Sequence, residues 1–427
     1  MRITWFLASI TLAALPLYVV RCSSLGWCVS IIPLTLLEAL IALTFISWLA
    51  WRVSTVKKGT IDSRQLLQRL RGPFFWPLLA FLIVATVSMA LSPDLRAAAG
   101  VWKAYFIEPA LLYLVVLDLS FEKRSINWVF GPLLFSGVWL SVLAVWQSKS
   151  GVDPFALNSI KIGRVTGVYD NPNALGLYLG PLVFLGLGFL LDNLRNKKPV
   201  TWQKTALSVL IVVSLCLYIL AIYLSKSRGA ALGISISSLF FAAVLIYRLV
   251  PDWLKKAGQI LFYSMIGSLI LIILISVANI DKFVSRAEPK STDTAYTRLC
   301  IWQATKQMLV DRPVFGSGLS GFPKIYPKYA TCEGYPSQYP HNIFLNFWTE
   351  LGLFGLLTFL WIIYKYWRIL IGQINNFIAI GLLSVVIYIF VHGLVDVPYF
   401  KNDLSSQFWI ILALAASLQV LSKRNVN

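Results

Sequence analysis

The chain has 427 residues, 58% hydrophobic and only 13% charged, with a mean hydropathy of +0.74. A soluble globular protein of this length is excluded, because so little polar surface cannot cover the core. Its 37 basic residues against 18 acidic ones give a formal charge of +19. That excess does not point to nucleic acid, since basic residues collect in cytoplasmic loops and beside anionic headgroups of a bilayer.

Apolar runs of about 20 residues, long enough to cross the hydrocarbon of a bilayer as a helix, recur along the chain. They predict an all-α fold, a polytopic integral membrane helical bundle of about 12 transmembrane helices with one long, partly helical outward-facing loop. The first run, roughly 4–20, looks like a signal peptide. "YVVRCSS" lacks a small-x-small cleavage site, however, and Arg21 before Cys22 spoils a lipoprotein-type site, so the run reads as a retained helix. Spans follow at roughly 28–50, 73–92, 102–119, 128–147, 172–191, 205–224, 229–249 and 258–277. Three more come after a long loop, at roughly 343–364, 375–395 and 405–421.

An even number of spans leaves both termini on one side. The connections at 51–72 (Arg52, Lys57, Lys58, Arg64, Arg69, Arg71), 120–127, 192–204, 250–257 and 365–374 are basic, as is the tail "SKRNVN". This assigns that side, with both termini, to the cytoplasm. Three regions result: 1–277 with helices one to nine, 278–342 as the long outward loop, and 343–427 with helices ten to twelve.

The loop is too long to be a mere connector. It contains a helical stretch, "AYTRLCIWQATKQMLV", with Leu299, Trp302 and Leu309 near one face. The Gly/Pro-rich "RPVFGSGLSGFPKIYPKY" after it is incompatible with regular helix. Cys300 and Cys332 share the loop; in an oxidising compartment they are candidates for a disulfide, with unpaired, small apolar residues as the other reading. Cys22 with Cys28 is a second candidate pair. No internal repeat or low-complexity tract is visible.

The unusual residues all fall on the outward face. "YLSKSRGA" sets Arg228 between two apolar spans with almost no loop, so its guanidinium lies at the membrane boundary, either snorkelling to headgroups or serving a site. Arg298 opens the loop helix, and Arg164 lies in a smaller outward loop before "YDNPNALG", where Asn171 or Asn173 caps a helix. His341 and Asn342 stand at the mouth of the tenth span, as a helix cap or as chemistry; Gly352 and Gly355 further along allow close packing. His392 has Asp396 four residues on, on the same helical face, as a structural hydrogen bond or a proton-handling pair. Arginine forks match phosphate oxygens, and a histidine can take a proton from a hydroxyl. No D-x-D and no cluster with metal-ligand spacing occurs, so these parts suggest a metal-free site that binds a lipid-linked diphosphate and activates a hydroxyl.

The stretch "HNIFLNFWTELGLFG" puts His341 and Asn342 nine residues before Gly352, with Gly355 two residues beyond. It resembles the H-[NSQ]-x9-G-x-x-[GTY] signature of the superfamily of bacterial O-antigen ligases, O-antigen polymerases and protein O-oligosaccharyltransferases. "LSKSRGA" resembles that family's Ser-Arg-Gly step, and "YTRLCIWQATKQMLVDRPVFGSGLSGF" its long periplasmic loop. The resemblance implies a glycosyltransferase of the bacterial inner membrane that works on the periplasmic side without cofactor, metal or nucleotide sugar. It implies a glycan donor on undecaprenyl diphosphate and, for a ligase, a hydroxyl of lipid A-core as acceptor in lipopolysaccharide assembly. Carried over, Arg228 and Arg298 hold the diphosphate, and His341 deprotonates or orients the acceptor for inverting attack. Asp396 is the looser match, with His392, Arg164, Asn342 and Asn173 as supporting candidates.

A ligase is favoured because a single long loop lies directly before the histidine helix. A polymerase or protein O-oligosaccharyltransferase of the same superfamily is the alternative, and a polytopic transporter the more remote one. Against a transporter, no matching pair of interrupted helices is seen in the two halves, and the charges gather at one face rather than the midplane.

Overall fold

The computed structural model describes residues 1–20, 34–123, 125–152, 163–195, 201–249, 294–330, 332 and 337–424. Among them there is no β-strand. The helices are α1 (Arg2–Ala13), α2 (Leu36–Lys57), α3 (Ser63–Leu70), α4 (Phe75–Ala90), α5 (Leu95–Trp102), α6 (Glu108–Lys123), α7 (Asn127–Ser150), α8 (Pro172–Arg195), α9 (Trp202–Leu224) and α10 (Arg228–Leu249). After the long loop's α11 (Thr294–Asp311) and α12 (Phe322–Ile325) come α13 (Ile343–Ile371), α14 (Phe377–Gly393) and α15 (Asn402–Arg424).

Among the described residues, 8 helices are long and apolar enough to cross a membrane, counting α5 and α6 as one through the π-helical turn Lys103–Ile107. The α3–α4 pair, bent by 73°, makes a ninth if it is taken as one broken span, while α1 and α14 are shorter apolar helices. The chain is thus an all-α, multi-pass membrane bundle. Every expected span coincides with a helix except 258–277, which lies outside the described residues together with Cys22 and Cys28.

Polar caps set several boundaries. α2 begins at Leu36, where Thr35 and Glu38 form a reciprocal capping box; the part of the expected second span at 28–33 lies outside the described residues. Thr201 caps α9 and Asn376 caps α14 through their side chains. α8, α14 and α15 form the centre, with α14 against α8 and α10, and α15 against α6. α8 and α14 touch backbone to backbone: a Cβ on Gly188 would sit 2.8 Å from the Phe377 carbonyl oxygen, and one on Gly381 2.6 Å from that of Phe184. α9 and α10 lie at the periphery and turn Val209, Leu210, Val213, Ile236 and Leu239 outward, as lipid-facing helices do. At the far end of α2 the buried Arg52 donates to Asp118 on α6 at 2.6 Å, and Trp48 Nε1 donates to the same carboxylate at 2.8 Å.

One expectation changes. α13 is not one straight helix: Gly352 breaks it with φ 72° and ψ −174°. Gly352 therefore serves backbone conformation first, and the segment of loop after α11 fills the break. Leu353 N–H donates to the Val314 carbonyl at 2.9 Å, and Ser317 N–H to that of Thr349 at 2.7 Å. On α11, Leu309 is buried as expected and Trp302 packs half-buried against the loop's core, in which Ile301, Ala304 and Met308 lie on Phe322, Ile325 and Tyr326.

Candidate functional site

α8, α10 and α13 all begin at one end of the bundle, and the predicted polar residues meet there. At the start of α8, the Asn171 side chain accepts the Asn173 N–H at 2.9 Å, so Asn171 is the cap and Asn173 is released for other contacts. Asn173 Oδ1 accepts from Arg164 at 3.1 Å, and its Nδ2 donates to Asp396 Oδ2 at 3.0 Å. Arg164 Nε donates to the Ser225 carbonyl at 2.8 Å, which ties it to the short link between α9 and α10. Arg228 is the first residue of α10, exposed, where the helix N-terminus adds its own attraction for anions. Burial, and then the Arg228 charge, pull the Arg164 pKa down, so Arg228 lies within electrostatic reach of Arg164.

Asp396 lies in the link between α14 and α15, buried, with Oδ1 accepting from the Val397 N–H at 2.9 Å. The same oxygen is 3.9 Å from His341 Nδ1. That is too long for a hydrogen bond, but a small movement of the ring would close it. His341 is 27% exposed and stands in the left-handed region at φ 49°. For a non-glycine residue this costs about 1–3 kcal/mol and persists only where the surroundings impose it. Trp302 of α11 donates to the Pro340 carbonyl at 2.8 Å, immediately before His341. Immediately after it, Asn342 caps α13 through the N–H groups of Phe344 and Leu345, and donates to the Leu394 carbonyl at 3.1 Å. The Tyr339 ring lies 4.5 Å from the imidazole, centroid to centroid.

Burial is the largest influence on His341 and pulls its pKa below the ordinary 6.5; Asp396 opposes this and Arg298 reinforces it. The imidazole is accordingly held neutral near pH 7, the form that can take a proton. Among the described residues, Arg228 and Arg298 have no hydrogen-bond or ion-pair partner. Two such guanidiniums are free to take an anion.

The structure thus brings His341, Asp396, Asn173, Arg164 and Asn342 into one network and sets Arg298 and Arg228 beside it. His392 departs from expectation. α14 ends at Gly393, so Asp396 lies beyond the helix rather than one turn along the same face. His392 is buried and shares a 3.0 Å hydrogen bond with Tyr388, one turn back, while its ring packs on Gly229. Asn342 is a helix cap. Cys300 and Cys332 are bonded to each other, which settles the alternatives left open for them.

Sequence reasoning missed Glu350. Its buried carboxylate accepts the N–H groups of Ser320 and Phe322, anchoring the loop on the broken helix α13. The signal was present, since a carboxylate inside an apolar run is costly and seldom idle. The hydrogen bond from Trp302 to Pro340 left no such trace.

Fold and site together define a multi-pass helical membrane protein with a cationic, histidine-bearing site at one end of its bundle. Residues 210–360 match the family model described as O-Antigen ligase. The chain is 22% identical to the O-antigen ligase of Salmonella typhimurium over 308 residues, 68% of this chain and 69% of that one. It is 26% and 29% identical to provisionally named polysaccharide ligases of Rickettsia conorii and Rickettsia bellii, over 47% and 49% of its own length. The chain spans about half the length of these two relatives, 50% of each. In these matches the chain is similar to members of the O-antigen ligase superfamily.

Proposed function

We propose that this protein is a membrane glycan ligase that moves an O-antigen-like glycan from undecaprenyl diphosphate to a hydroxyl of lipid A-core. The observation that supports this most is the meeting, at one end of the bundle, of a histidine held neutral with two unpartnered arginines. Arg228 and Arg298 would hold the diphosphate, with Arg164 as a third cation fixed by Asn173 and Ser225. Asp396 would turn His341 Nδ1 inward and leave Nε2 for the acceptor.

In the reaction the acceptor oxygen attacks the anomeric carbon from the face opposite the diphosphate. A new C–O bond forms, the bond to the phosphate oxygen breaks, and the acceptor proton passes to His341. Undecaprenyl diphosphate leaves with its charge met by the arginines. A single displacement of this kind inverts the anomeric centre and needs neither metal nor nucleotide sugar.

The site would face the periplasm of the inner membrane, with both termini in the cytoplasm. The Cys300–Cys332 bond supports this, because disulfides persist on the oxidising side. The test is transfer in vitro from lipid-linked glycan to alternative acceptors. Lipid A-core should be glycosylated by the native protein and not by His341→Ala, which should still insert in the membrane. Transfer only to a second lipid-linked repeat would make it a polymerase, and transfer only to Ser or Thr a protein O-oligosaccharyltransferase. Full activity of His341→Ala would remove the catalytic assignment.

A further inference from the structure

The two residues Arg298 and Trp302 are four apart on α11, hence on one face of it. Arg298 acts on His341 through its charge, and Trp302 acts on the backbone before His341 through its indole N–H. The segment that carries His341 is thus held from both sides, by α11 before it and by the Asn342 cap after it. Only the clamp before it comes from the long loop. α11 is itself joined to Cys332 by the Cys300–Cys332 bond, and to the rest of the loop by Ile301, Ala304 and Met308.

We infer that Trp302 is a positioning residue: its hydrogen bond to Pro340 imposes the left-handed conformation of His341, so that docking of α11 delivers the Arg298 charge and aligns the histidine in one step. This rests on the catalytic reading of His341 proposed above. The reason is geometric. A carbonyl held at 2.8 Å by a donor on a packed helix fixes the orientation of the peptide plane that leads into His341. Without that donor the residue is free to relax to the ordinary right-handed or extended regions, which turns the ring away from Asp396. The charged and titratable groups facing His341 are Asp396 from the α14–α15 link, Arg298 from α11 and Tyr339 from the preceding turn. A ring that swings outward leaves burial and Arg298 behind, so its pKa rises towards 6.5.

The test is Trp302→Phe in the full-length protein, assayed with lipid-linked glycan donor and lipid A-core. The expected result is a kcat lower by about fivefold to tenfold, the scale of one lost hydrogen bond, with donor KM changed less than about twofold. The acid limb of the pH–rate profile should move upward. Met308→Ala, which loosens the loop core without touching the clamp, should lower the folded fraction and leave that limb in place. If Trp302→Phe fails to insert, benzothienylalanine at 302 keeps the ring and replaces the N–H with sulfur, and the same shift is expected. A native kcat and pH profile, or a loss confined to KM, would overturn the inference. His341→Ala run in parallel separates the two failures: if it stays active the proposed function fails, whereas if it is inactive and the clamp variants are native, only the role of Trp302 falls.

Discussion

Gly352→Ala is the substitution whose effect the structure defines most fully. Gly352 has φ 72° and ψ −174°, a combination open essentially to glycine alone. Placing alanine there costs about 1–3 kcal/mol in backbone strain. Its Cβ would also collide with the Val314 carbonyl oxygen and lie 2.8 Å from Phe315 Cα, so the loop must withdraw. Withdrawal breaks the Leu353 to Val314 hydrogen bond, worth about 1 kcal/mol. The sum is about 2–4 kcal/mol against the docked loop, or roughly thirtyfold to several hundredfold in its docking equilibrium. Hydrogen exchange followed by mass spectrometry reads this directly, through protection of the amides of Ser317 and Leu353. Their protection should fall by about one and a half to three orders of magnitude, with transfer activity falling as α11 loses its seat. Gly131→Ala is the control: nothing lies within 4 Å of the place its methyl would take, and alanine favours helix by about 0.5–1 kcal/mol. Native protection in Gly352→Ala would refute the requirement for a glycine-only conformation at the break.

Three further outcomes are expected. Removing the charge in Arg298→Gln takes away a lowering influence on His341, so the acid limb of the pH–rate profile should shift upward; the measurement is kcat against pH at saturating donor. Asp396→Asn takes away the raising influence, so the same limb should shift downward, below its native position. Arg52→Met takes the nearer cation, at 2.6 Å, from the buried Asp118 carboxylate and leaves it only Arg69 at 3.9 Å, at a cost of about 3 kcal/mol, and Arg52→Met with Asp118→Leu should recover part of the lost thermal stability in detergent.

The helices were legible because a bilayer imposes a simple rule. A run of about 20 apolar residues must form helix, since no water is present to satisfy a bare backbone. His341 and Arg228 stood out for the complementary reason, since ionisable groups at a membrane boundary carry a desolvation cost against an apolar background, whereas Arg298, on a loop helix, was singled out only through the family resemblance. The motif around Gly352 is visible as spacing, but its meaning is not. Glycine at a packed helix contact and glycine at a helix break are spelled alike, and only the φ of 72° and the carbonyl of Val314 tell them apart.

What the sequence determined by itself was therefore one-dimensional: which segments are apolar, where the caps stand, and which charged side chains are out of keeping with their surroundings. Tertiary structure decided the partners. Helical spacing pairs Asp396 with His392, yet α14 ends at Gly393 and the carboxylate faces His341 instead. Asn173, held by Arg164, reaches Asp396 across 223 residues of sequence, a contact that no local pattern encodes. Helix periodicity reaches only one turn along a chain, whereas a site built where several helices begin depends on how those helices pack.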